Sequence, residues 1–276
     1  MVNQEGKELS REVAPRDLPD WLLAHGRNWI TSTEVADLLQ ITLNEVPPIA
    51  ARWRAKRHAF SPTRGAYVPI PPEFRSWGAT PAGHFIDALM NHLGHAYYVG
   101  YLSAAEVYGA AHQRPQTFQV VTTGRLTRRN FGRVHIQFIK STETARRPTI
   151  RHNTPTGTMV VSTPEVTVLD LVAGPIHGGG LSNVMTIIAD LIKDGSLDAK
   201  LLAQSSLDYP VTVRQRTGWL IESATANVGV NFDMTPLANS VAGHSERTPL
   251  LASGTRSGEL DNRWNVIINT NVDPDL

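Results

Sequence analysis

Residues 31–70 read TSTEVADLLQITLNEVPPIAARWRAKRHAFSPTRGAYVPI, and this stretch decides the fold of the N-terminal part of the chain. Aliphatic side chains stand at Val35, Leu39, Ile41, Val46 and Ile49, and small Ala36 follows the first of them. In a helix-turn-helix two helices cross closely over one small residue, and aliphatics before, within and after the turn seal the pair. Thr31 and Glu34 have the spacing of a capping box, in which hydroxyl and carboxylate satisfy free N–H groups at a helix start. Gln40 occupies the turn, where glycine is common. Proline is comfortable only in the first turn of a helix. Pro47-Pro48 therefore place the start of the regular second helix near Asn44 or Glu45, with Pro48 distorting it or delaying its start. Further on, Pro62 to Gly65 separates His58-Ala59-Phe60 from Ala66-Tyr67-Val68, and two apolar runs joined by a glycine-containing turn predict a hairpin. The sum is a winged helix-turn-helix, and its expected partner is double-stranded DNA. The competing reading is a helical bundle with a basic tail.

Charge agrees locally with the first reading. Between Leu43 and Ile70 stand Arg52, Arg54, Lys56, Arg57 and Arg64 against one acid, Glu45, a net +4. Positive charge beside a groove-reading helix serves phosphate binding, because each neutralised phosphate releases condensed counterions. Thr42 and Asn44 are placed to approach base edges, Arg52, Lys56 and Arg57 to hold phosphates together with neighbouring Arg54, and Arg64 to enter the minor groove from the wing tip. Trp53 is read as core, on one helical face with Ile49.

The whole chain of 276 residues carries only +1, which hides a polarity. Residues 125–151 hold eight basic side chains and Glu143 alone as acid, whereas residues 152–276 hold seven basic and thirteen acidic ones. Arg125, Arg128, Arg129 and Arg133 are thus a possible second basic surface, or a solvated loop and strand face. Length implies two domains and 41% hydrophobic residues imply folded cores. The absence of cysteine excludes disulfides, thiolate zinc sites and a cysteine nucleophile. Met1 to Arg16 is polar without an apolar signal core, and no apolar run reaches the ~20 residues of a membrane span. A soluble, cytoplasmic protein without membrane contact is expected.

The expected domains are residues 1–75, the winged helix-turn-helix, and residues 81–276, a larger mixed α/β domain, giving an α+β protein. Prolines 69, 71 and 72 end the wing, and Ser76 to Pro81 reads as a connector. A helix is predicted over Pro81–Leu93, a strand over Ala96–Val99, and a small-residue helix over Ser103–Ala110 with Ser103 as its cap. Strands are predicted near Phe118–Thr122, Val134–Ile139, Thr158–Val161 and Trp264–Ile268. Helices are predicted over Pro164–Val172, Leu181–Lys193, Ala199–Gln204 and Val211–Ser223. Asp170 reads as a buried polar anchor, paired with an arginine such as Arg263.

Three segments of the second domain carry a family resemblance: Tyr98 to Gly109 (YVGYLSAAEVYG), Ser162 to Leu171 (STPEVTVLDL) and Leu260 to Asn269 (LDNRWNVIIN). In this order, after a winged helix, they resemble the AbiEi family of abortive-infection antitoxins, from about Leu18 to Asn269. The resemblance implies an N-terminal winged helix that represses the promoter of its own operon. It also implies a C-terminal domain that counteracts a co-encoded toxin of the nucleotidyltransferase class. Operator sites are expected to be inverted repeats, since helix-turn-helix proteins bind as symmetric pairs.

Catalytic patterns are missing: there is no phosphate loop, dinucleotide fingerprint, H-E-x-x-H or G-x-S-x-G in the sequence. Gly178-Gly179-Gly180 before a helix reads as a loop. His84, His92 and His95, with His112 further on, have Asp87 as their one nearby carboxylate and read as ordinary histidines rather than metal ligands. No enzyme, cofactor or metal is expected. The alternatives are a winged-helix regulator whose C-terminal domain senses a small ligand, or a metal-dependent nuclease.

Overall fold

The computed structural model describes residues 13–111 and 115–274, and it is a mixed α and β protein with three sheets' worth of short strands among its helices. The chain divides into two compact units that interleave in sequence. The first takes residues 1–96, 124–139 and 151–159, and the second takes 97–123, 140–150 and 160–276.

The first unit begins with α1 (Leu18–Ala24), β1 (Ile30–Thr31), α2 (Ser32–Leu39), a 3₁₀ turn at Leu43–Glu45, α3 (Val46–Ala55), β2 (Ala59–Thr63) and β3 (Ala66–Pro69). The three strands form one antiparallel sheet in the order β1-β3-β2. Leu18, Leu22, Ile30, Val35, Ala36, Val46, Ala50, Trp53, Ala59 and Tyr67 make one buried cluster, with Leu39, Ile41 and Ile49 packed at its edge. The capping box forms as its residues require: the Thr31 hydroxyl accepts from Glu34 N–H, and Glu34 Oε2 accepts from Thr31 N–H at 2.7 Å.

Regular helix in α3 starts at Val46, one or two residues later than expected, and Pro48 does not distort it. Both prolines fall in the first turn, where a missing N–H has no intrahelical acceptor to lose. The hairpin turn also differs. Thr63 pairs with Ala66, so Arg64-Gly65 alone make the turn, and Pro62 belongs to β2. Its missing N–H is tolerated because the register slips between Phe60 and Thr63, and Ser61 Oγ donates to the Ala66 carbonyl there at 2.9 Å.

The unit continues through α4 (Ile86–Leu93) and, from β6 (Arg129–Phe131) and β7 (Val134–Lys140), an antiparallel hairpin. The helix expected over Pro81–Leu93 is broken. A 3₁₀ turn covers Ala82–His84, and Phe85 leaves helical geometry with its ring packed edge-on against Phe60 (5.1 Å) and near Phe131 (6.1 Å). Asn28 Nδ2 donates to the carbonyls of His84 and Thr156, and Arg133 N–H donates to Trp77 O, so distant stretches of sequence are tied into one core.

The second unit holds β4 (Tyr97–Val99), α5 (Tyr101–Val107) and β5 (Phe118–Thr122). After β8 (Thr149–Thr154) and β9 (Gly157–Ser162) come α6 (Pro164–Ala173), α7 (Leu181–Lys193), α8 (Ala199–Ser206), α9 (Val211–Val228) and α10 (Thr235–Val241). Tyr98 of β4 pairs antiparallel with Val121, and Val99 pairs in parallel with Val161. Helix α6 is buried from Glu165 to Val172 and packs against α5, α7, α8 and α9, as an almost unbroken apolar run must. Its cap is Thr163, whose hydroxyl accepts from Val166 N–H. Ser103 is not a cap: it lies inside α5, whose cap is Gly100, and its hydroxyl accepts from Gln119 N–H at 2.9 Å. A small sheet of β10 (Thr248–Pro249), β12 (Val266–Ile268) and β11 (Glu259–Asp261), in that order, closes the unit.

Candidate functional site

The 3₁₀ turn and α3 present an exposed face in the first unit. Thr42, Leu43, Asn44, Arg52, Arg54, Lys56 and Arg57 are all exposed, and Arg64 is exposed at the hairpin tip. None of the five basic side chains from Arg52 to Arg64 is in an ion pair among the described residues. Trp53 points the other way. It is buried, its Nε1 donates to the Pro15 carbonyl at 2.7 Å, and Tyr67 meets its ring edge-on. Arg57 takes a left-handed backbone (φ 55°), which ends α3 and turns the chain into β2.

Thr42 has a local partner. Its hydroxyl and its N–H both donate to Glu45 Oε2, at 2.8 and 2.9 Å. The backbone bond first, and then the hydroxyl bond, hold the Glu45 carboxyl below its usual range. A fixed negative charge thus stands at the start of α3 beside Asn44. Sequence reasoning passed over Leu43, which is 55% exposed on the same turn. Its signal was an aliphatic outside the core spacing.

The four arginines proposed as a second basic surface separate. Arg125, Arg128 and Arg133 are exposed. Arg129 is half-buried: its Nη1 donates to the Pro62 carbonyl, its guanidinium lies 5.9 Å from the Phe138 ring centre, and burial lowers its pKa. It packs under the hairpin rather than facing solvent, because its aliphatic stem and a free carbonyl are better satisfied there.

The second unit centres on a buried charge. Asp170, 1% exposed, pairs with Arg147 rather than Arg263, which instead meets Glu222. Tyr98 and Tyr209 donate their hydroxyls to the two Asp170 oxygens, each at 2.8 Å, and the Arg147 guanidinium lies 4.2 Å from the Tyr209 ring centre. Burial pushes the Asp170 carboxyl up, opposed by Arg147 and the two hydroxyls. Burial also raises both tyrosines, which keeps them as donors. Every group is directed at Asp170, so the arrangement is a clamp joining β4, the stretch before β8, α6 and the stretch before α9. Arg147 carried no local signal, since its partner lies 23 residues away.

Among the described residues no three His, Asp or Glu side chains are placed to hold a metal ion. His84 faces the Phe74 ring and His92 faces Trp29. His112 lies outside the described residues. Gly178 to Gly180 form a turn into α7, with Asn183 Nδ2 donating to the Gly178 carbonyl at 2.7 Å. No described helix is long and apolar enough to cross a membrane.

No curated protein matches the chain in sequence. Among solved structures, the crystal structure of the RV2827C protein from Mycobacterium tuberculosis is similar at a TM-score of 0.60 and 14% identity. The match covers 93% of this chain and 92% of that one, and at this identity the likeness is one of fold. Residues 98–223 match the family model of the AbiEi antitoxin C-terminal domain, a stretch that holds all four members of the Asp170 clamp. That match supports an antitoxin role in a toxin–antitoxin pair for the part of the chain that carries the domain.

Proposed function

We propose that the chain is an antitoxin that also represses its own operon. In this reading residues 1–75 are a winged helix-turn-helix that grips double-stranded operator DNA, and residues 81–276 counteract a co-encoded nucleotidyltransferase-type toxin. The observation that carries the DNA contact is the set of five exposed basic side chains on α3, its end and the hairpin tip, none with an acidic partner among the described residues. Asn44 approaches a base edge and Leu43 offers an apolar contact to a thymine methyl. Arg52, Arg54, Lys56 and Arg57 hold phosphates, and Arg64 reaches the minor groove. Arg125, Arg128 and Arg133 extend the basic surface of the same unit.

The test has two arms, both on the full chain. Binding to DNA from upstream of its gene is followed at several salt concentrations. Arg52→Ala and Lys56→Ala each reduce the salt slope by about one, and unchanged slopes remove the phosphate assignment. In the second arm the neighbouring reading frame is expressed in bacteria alone and then together with this chain. Growth arrest relieved by the wild type and by the Arg52→Ala, Lys56→Ala double variant supports neutralisation independent of DNA. A harmless neighbour, or no rescue, overturns the toxin partner.

A further inference from the structure

The acidic C-terminal half gathers three of its seven cations around one cavity. Of the seven basic side chains after residue 151, three (Arg216, Arg247 and Arg256) line a single cavity of about 720 Å³ in the second unit. Thr212, Ser245 and Thr248 add hydroxyl-bearing side chains to the wall, and Glu246 is its one acid. None of the three arginines is in an ion pair among the described residues.

The walls are held independently of any ligand. Thr212 and Arg216 lie one turn apart on α9. Gln215, fully buried beside Arg216, receives a hydrogen bond from the Thr248 hydroxyl at 2.5 Å and donates to the Glu246 carbonyl at 3.0 Å. That pins residues 246–248 against the helix. On the far side Asn269 clamps the loop that carries Arg256: its Oδ1 accepts from Leu251 N–H, and its Nδ2 donates to the carbonyls of Leu251 and Thr255. Arg216 is half-buried with Nε donating to the Pro249 carbonyl at 2.9 Å, and burial depresses its pKa. A guanidinium removed from water and given only a carbonyl partner has donors to spare for an anion.

We infer that this cavity binds the phosphate groups of a small molecule of nucleotide size. Three guanidiniums, one half-buried and held on α9 and two exposed on loops whose neighbouring backbone is pinned, match several phosphate oxygens, where a single carboxylate would leave most donors idle. The volume falls within the range of small-ligand pockets and exceeds the needs of one inorganic phosphate. The proposal rests on neither the DNA contact nor the identity of the toxin.

The test is calorimetric titration of the full chain with inorganic triphosphate, with the four nucleoside triphosphates, and with a short single-stranded oligonucleotide. Saturable binding of triphosphate or a nucleotide is expected. It should weaken about tenfold or more in Arg216→Gln and in the Arg247→Gln, Arg256→Gln pair, as loss of charged hydrogen bonds requires. Glu246→Gln is expected to tighten it, an outcome that misfolding cannot imitate. The Arg52→Ala, Lys56→Ala variant is expected to bind as wild type, which separates this cavity from the basic face of the first unit. Absence of binding, binding indifferent to the cavity substitutions, or binding of the oligonucleotide alone overturns the proposal.

Discussion

Gln40 shows how one residue records a compromise. It closes α2 in the left-handed region (φ 53°), a conformation that costs a side-chain-bearing residue about 1 kcal/mol or more. Gln40→Gly is therefore expected to stabilise the chain by about 0.5–1 kcal/mol, read as a higher denaturant midpoint at unchanged slope. A lower midpoint would mean that the glutamine side chain makes up the difference. That a turn stood here was legible from the aliphatics around it. Asp170 is the opposite case. Its burial was legible from the apolar run of residues 166–172, but its partner was not, because Arg147 sits among exposed residues. Arg147→Met strands a buried carboxylate and is expected to cost about 3–5 kcal/mol, whereas adding Asp170→Leu should recover much of that loss. Additive losses in the double variant would deny the coupling.

At the scale of elements, local rules read well where the chain satisfies itself locally. The spacing predicted β5 and α7 at their observed bounds, Phe118–Thr122 and Leu181–Lys193, and the capping box marked the start of α2. The losses came where a distant partner decides. Phe85 leaves the helix because Phe60 and Phe131 surround its ring; the short strands β1 and β6 have too few residues to show a period, and β8, six residues long, is mostly polar and exposed and so shows no apolar alternation. Among the candidate site residues, exposure on α3 was legible from sequence. The withdrawal of Arg129 was not, since it depends on the carbonyl of a bulged Pro62. Helix α9 offers a sharp check on packing. Gly218 lies in its middle, where alanine would ordinarily gain about 1 kcal/mol, but a Cβ there would run into the buried ring of Trp264. Gly218→Ala should instead destabilise by about 1–3 kcal/mol in a denaturation experiment, and a neutral outcome would mean that Trp264 can step aside.

At the scale of the molecule, the sequence reading divided the chain once, near residues 76–81, whereas each compact unit is built from three segments and the chain passes between the units five times. Residues 76–81 belong to the first unit, where the Trp77 carbonyl accepts from Arg133 N–H. A fragment of residues 76–276 is accordingly expected to expose Phe85 and Phe131, whose ring partner Phe60 is gone, and to bind a hydrophobic dye that the full chain ignores. A fragment with native-like dye response and a sharp unfolding transition would refute this. The interleaving also sets a clock. At a synthesis rate of 5–20 residues per second, roughly sixty residues must follow Ala96 before Met159 completes the first unit, a delay of about 3–13 s. A ribosome that stalls within that interval leaves a first unit without its last segments. Nascent chains become finished copies of that unit only when translation has passed Met159.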